Sequence, residues 1–253
     1  MKSAPEPGRA GGGRMTFALI AAAALAVVGV QIVVAALPAT PDRRADGVIG
    51  FALGLAPMAW LLWTICSRPL GFKVVALMLG ASVVVVLILA RAGHLTWAAP
   101  FQVAAAASVG VLLARQVIDA WWLAVFAGVG IVADAWSVFA GPTRAVVQHA
   151  PRVLDYVLVH FAPVGGPAGG MGLGMSDLVF LSLFTAGGLL LGLKSRAGFA
   201  AMLGSLVLTV LLAVIWKPAV PALPLLSMAF LLANTGIWIR MVREYREARL
   251  GGG

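Results

Sequence analysis

The amino-acid sequence predicts an all-α membrane protein, a polytopic bundle of about eight transmembrane helices. Three observations predict it. The 253 residues are 62% hydrophobic and only 11% charged, where a soluble domain carries about 25% charged residues. The mean hydropathy is +1.02. The chain also divides into apolar runs near the roughly 20 residues that a helix needs to cross a bilayer, separated by short breaks that are often basic.

The elements follow in order. Residues 1–14, MKSAPEPGRAGGGR, are Gly/Pro-rich and basic, and are expected to form a disordered tail. The apolar run behind them covers 15–37. It exceeds the about 7–15 residues of a signal-peptide core and reads as a retained anchor. Further runs cover 47–66, 74–90, 97–114, 120–140, 176–193, 197–216 and 218–239. Together they define a single membrane domain over 15–239, followed by a basic tail at 240–253. Trp97, Trp121, Trp122, Trp216 and Trp238 fall near run ends, as an aromatic belt at the membrane interface requires. One long connection, from 141 to about 175, is rich in Gly and Pro and holds His149 and His160. The Gly50/Gly54 and Gly188/Gly192 spacings are read as close helix packing.

Charge narrows the function classes. The net charge is +9, but the basic residues punctuate apolar runs and form no patch with interleaved aromatics. The expected partner is therefore the lipid bilayer, not nucleic acid. With the N-terminus inside, 12 Lys and Arg fall inside and 6 outside. Eight spans then place both termini in the cytoplasm and the long connection outside. The Ala-, Gly- and Arg-rich usage and short loops point to a bacterial plasma membrane. The single cysteine, Cys66, excludes a disulfide framework and a cysteine metal cage. No metal and no organic cofactor is expected.

The chain holds nine acids: Glu6, Asp42, Asp46, Asp119, Asp134, Asp155, Asp177, Glu244 and Glu247. Only Asp134 and Asp177 fall within apolar runs. A charge near the bilayer centre costs roughly 2.5–3.5 kcal/mol on insertion scales, and such residues are usually functional. No Lys or Arg lies inside a run to pair with either. Asp134 precedes the Gly141-Pro142 helix stop by seven residues, about 10 Å along a helix. Asp177 falls near the start of the next run. Consecutive spans are antiparallel, so both acids approach one membrane face at similar depth. Two carboxylates in contact can share one proton, one then acting as base on water and the other as acid on a carbonyl. Downstream, KPAVPALP places Pro218, Pro221 and Pro224 close together. They remove amide donors and leave irregular backbone, which a membrane tolerates only when it is satisfied by protein or a water-lined cavity.

An aspartate-bearing span, a Gly-rich aspartate-bearing span and then Pro-Ala-Leu resemble the presenilin and signal peptide peptidase family of intramembrane aspartyl proteases. Ala133 and Asp134 match its Tyr-Asp motif. Gly174, Met175, Ser176 and Asp177 match Gly-x-Gly-Asp. Pro221, Ala222 and Leu223 match Pro-Ala-Leu, with Pro224 extending it as in presenilins. The resemblance covers roughly 120–232. It implies a presenilin-like fold, catalytic Asp134 and Asp177, and substrate contacts at Gly174, Ser176, Pro221, Ala222 and Leu223. It also implies hydrolysis of peptide bonds within transmembrane helices or signal-peptide remnants, with no cofactor. The family tyrosine is Ala133 here and its inner glycine is Ser176. The family has nine spans; loss of the first would give eight and the orientation of the signal peptide peptidase branch, for which type II single-span substrates are expected. A homo-oligomer stays an open option.

Other classes remain. A catalytically impaired presenilin-like protein that binds membrane helices is motivated by Ala133 and Ser176. A prepilin-peptidase-like aspartyl protease is motivated by GMGLGMSD, although that family lacks Pro-Ala-Leu. A carrier with two membrane acids would usually show internal repeats, and none is visible. A zinc protease needs a histidine pair such as H-E-x-x-H, which does not occur, and all three histidines lie outside the apolar cores.

Overall fold

The computed structural model describes residues 9–139, 156–166, 171–216 and 220–250. Among these, nine helices and two short strands follow one another. They are α1 (Arg9–Ala36), α2 (Arg43–Ser67), α3 (Phe72–Arg91), α4 (Leu95–Ala114), α5 (Ala120–Phe139), β1 (Leu158–His160), β2 (Gly172–Gly174), α6 (Met175–Leu190), α7 (Ser195–Trp216), α8 (Ala222–Ala233) and α9 (Thr235–Leu250). The protein is all-helical apart from that strand pair. Helix begins at Arg9, so the tail expected to reach residue 14 is helical from Arg9 onward. The tail expected from residue 240 is helical to Leu250.

Among the described residues, six helices are long and apolar enough to cross a membrane: α1 to α5 and α7. The bent pair of α8 and α9 would make a seventh. The expected span at 176–193 is instead the 16-residue helix α6, which rises about 24 Å against a hydrocarbon thickness of about 30 Å. Local chemistry ends it there. Gly192 takes φ +69° and the Leu193 N–H donates to Gly188 O at 2.8 Å, closing a Schellman cap. Gly93 does the same after α3, with φ +77° and the His94 N–H on Leu89 O at 2.8 Å. The helices carry large apolar side chains outward, such as Leu77 at 75% exposure and Val132 at 69%. Such a surface suits lipid and would be a liability in water.

Contacts divide the chain into two compact units where the sequence suggested one block. The first comprises Met1–Ser108 and Leu158–Met175, the second Val109–Val157 and Ser176–Gly253. In the first unit, β1 and β2 pair antiparallel with Val159 opposite Leu173. Phe161 N–H continues the ladder to Met171 O at 2.9 Å. The other edge of β1 is covered by two glutamines. Gln102 Nε2 donates to Leu158 O at 3.0 Å, and Gln31 Nε2 donates to His160 O at 3.3 Å. Gln31 Oε1 also accepts from Ala162 N–H at 2.6 Å. These bonds satisfy irregular backbone that apolar surroundings would otherwise leave unpaired. The Gly50/Gly54 spacing receives this segment and not a helix. A Cβ at Gly50 would strike Ala162 O, and one at Gly54 would sit 2.6 Å from the Phe161 ring. Gly188/Gly192 belongs to the helix cap described above.

Candidate aspartate site

All the residues considered next lie in the second unit, except Gly174. On α5, Leu123, Ala127 and Gly130 are buried and Asp134 is half-buried, while most neighbours are exposed. Steps of four, three and four residues put these on one helix face. Asp134 therefore continues the packed stripe of its helix. Two contacts set the register of that stripe against α6. A Cβ at Gly187 would lie 2.9 Å from Leu123, and one at Gly130 would lie 3.3 Å from the Phe180 ring. Seven residues forward on α5 thus match seven backward on α6, an antiparallel pairing. Asp177, Phe180, Phe184 and Gly187 share the α6 face that meets α5, by the same periodicity. Asp177 is buried in the first turn of α6.

The third segment arrives from α8. The Leu223 N–H donates to Asp134 Oδ2 at 3.1 Å, across 89 residues of sequence. Pro221 is extended and caps α8 without a side-chain bond, so the first turn of α8 offers amides with no intrahelical acceptor. Pro224 has none to offer. The Asp134 carboxylate meets one of these donors at the positive end of the α8 dipole. One turn on, Ser227 lies beside Gly130, where a Cβ would be 3.6 Å from its Oγ. The α8 stripe of Leu223, Ser227, Phe230 and Asn234 is buried throughout. Phe230 stacks on Phe184 of α6 with ring centroids 4.4 Å apart, so α8 is fastened to both neighbours.

Each expected site residue has a place. Asp134 and Leu223 are bonded, and Asp177 is buried in the first turn of α6. Pro221 and Ala222 are half-buried at the start of α8, while Ser176 is exposed in the first turn of α6. Gly174 ends β2 in the other unit, opposite Leu158. Ala133 is exposed on the outer side of α5. The Leu223 amide is engaged by Asp134 and Ala222 is already helical, which leaves Pro221 as the extended part of the motif. Residues 217–219, including Pro218, lie outside the described residues. So do Asp155 and His149.

Three of the buried polar groups stand out beside the acids. Ser227 Oγ and Gln102 Oε1 are buried without a hydrogen-bond partner among the described residues, and Gln31 holds two backbone groups. The signal was available: each is a polar side chain inside an apolar run. They carry no charge, so a pattern of charges does not mark them. No protein-family model matches the chain, and no curated protein matches its sequence.

Proposed function

We propose that this chain is an intramembrane aspartyl endopeptidase that hydrolyses peptide bonds within transmembrane segments, with Asp134 and Asp177 as its catalytic pair. The observation that carries the reading is the Leu223 N–H to Asp134 Oδ2 bond of 3.1 Å. It joins two of three motifs that resemble the presenilin and signal peptide peptidase family, and the α5–α6 register supports the third. In the proposed reaction a substrate segment enters from lipid and unwinds, because helical backbone hides its scissile carbonyl. One carboxylate takes a proton from a water that attacks the carbonyl carbon. The other, protonated, gives its proton to the carbonyl oxygen. Collapse of the tetrahedral intermediate breaks the C–N bond, and the amine leaves with a proton returned from the pair. The unwound segment can add in extended form beside open backbone edges. Pro221, extended at the start of α8, offers one. In this reading both termini are cytoplasmic in a bacterial plasma membrane, and type II single-span proteins are the favoured substrates.

The test uses full-length protein in liposomes with a single-span reporter. Wild type should cleave it, and Asp134→Ala and Asp177→Ala should each abolish cleavage. Full activity in either variant overturns the pair. A second reading, a helix-binding protein without catalysis, is favoured by the role of Asp134 as an acceptor for α8, which needs no chemistry. A photoreactive transition-state analogue separates the two: the protease is labelled and the binder is not.

A further inference from the structure

α9 differs from the helices before it. It leaves α8 through a 67° bend at Asn234, and that bend is built. Asn234 is 1% exposed. Its Nδ2 donates to Phe230 O at 3.0 Å, and its Oδ1 accepts from the Lys194 N–H at 2.9 Å. On the far side Trp238 Nε1 donates to Leu231 O at 3.0 Å, and the Ile237 N–H donates to Asn234 O at 2.8 Å. Both arms are fastened, so the departure angle follows from the hydrogen bonding. Where the α8 arm runs along the bilayer normal, a 67° turn carries α9 towards the membrane plane.

The sequence of α9 suits that position. Ile237, Trp238, Met241, Val242 and Tyr245 share one face. Val242 and Tyr245 are exposed, at 43% and 69%. Arg240, Arg243, Glu244 and Glu247 occupy the opposite face, with Arg246 at the boundary, and Arg249, seven residues after Val242, falls on the apolar side. Four arginines in α9 outnumber two glutamates. A cleft of about 390 Å³ runs along the helix, lined by Trp238, Ile239, Val242, Arg243 and Arg246. It sets two guanidinium side chains one turn apart beside an apolar floor. Guanidinium matches the oxygens of a phosphate, and the floor matches hydrocarbon. An amphiphile with an anionic head presents both at once.

We propose that α9 is an interfacial helix that docks on acidic phospholipid. Arg243 and Arg246 take the headgroup phosphate, while Val242 and Tyr245 enter the acyl boundary. The connection to α8 holds the helix at the surface it recognises. This inference is independent of the proteolytic reading.

The experiment is native mass spectrometry of the full-length protein in detergent, titrated with phosphatidylglycerol, phosphatidylcholine or inorganic phosphate. Phosphatidylglycerol should be retained in preference to phosphatidylcholine. Arg243→Gln with Arg246→Gln should weaken that retention about 25-fold, taking roughly a factor of five per arginine. The double Lys variant should keep most of it. Equal retention of the two lipids, or unchanged retention in the double Gln variant, overturns the proposal. So does displacement of phosphatidylglycerol by inorganic phosphate at matched concentration, which would make the cleft a free-anion site.

Discussion

Gln31 and Asp134 meet the same demand with different chemistry. Each is a polar side chain in an apolar helix, and each takes a backbone amide from a distant segment, 131 residues away for Gln31 and 89 for Asp134. Gln31 is 4% exposed and uses both ends of its amide, on Ala162 N–H and His160 O. It completes the backbone of the strand segment. Asp134 is half-buried, and its second oxygen takes no hydrogen bond among the described residues. A carboxylate offers about four lone-pair sites, so capacity remains for a proton or a water. The amide acts as a staple, and the carboxylate is only partly committed to structure.

Near-isosteric exchange should break or sharpen that contrast. The largest effect is expected at Asp134. Asp134→Asn keeps an oxygen for the Leu223 N–H, so thermal unfolding in detergent should shift by less than about 1 kcal/mol. Cleavage of the reporter should nevertheless fall by about 10²–10⁴-fold, the typical contribution of general acid–base catalysis. Retained cleavage would make Asp134 a second staple. The mirror exchange, Gln31→Glu, should do the opposite. It sets a carboxylate oxygen against His160 O and removes a donor, at a cost of about 3 kcal/mol or more for a buried charge in conflict, with the chemistry of the pair untouched. A variant that melts with wild type would show that the strand segment needs no staple.

Smaller effects refine the picture. Gly50→Ala drives a Cβ into Ala162 O, and overpacking of this kind costs about 1–3 kcal/mol. Hydrogen exchange should report opening first at residues 158–164, and uniform loss of protection would contradict the local account. Ser227→Ala should be the mildest. Its buried hydroxyl has no partner, so its removal should leave the melting temperature equal or raise it by up to about 1 kcal/mol in equivalent stability. A marked loss would mean that the hydroxyl has a role in the second unit beyond filling space beside Gly130.

The sequence exposed much of this protein because membrane burial is a local property. Apolar runs such as 74–90 and 97–114 needed only counting, and α3 and α4 match them within a few residues. Asp134 and Asp177 stood out because acids are nearly absent from those runs. Other features were illegible for identifiable reasons. β1 and β2 are three residues each, too short for an alternation pattern. Gly50 and Gly54 announce close approach but not its partner, which is an extended segment more than a hundred residues later. The early end of α6 and the bend at Asn234 depend on capping bonds, which composition does not encode.

By itself, the sequence determined that the chain is helical and apolar, where its runs begin, and that two carboxylates persist among them. These follow from transfer free energies summed over neighbouring residues. Only the tertiary structure decided that Leu223 reaches Asp134, that α5 and α6 pack against each other at Gly187 and Gly130, and that α9 turns aside. Those depend on which hydrogen-bonding groups find each other across the fold, a choice that no local pattern of hydropathy records.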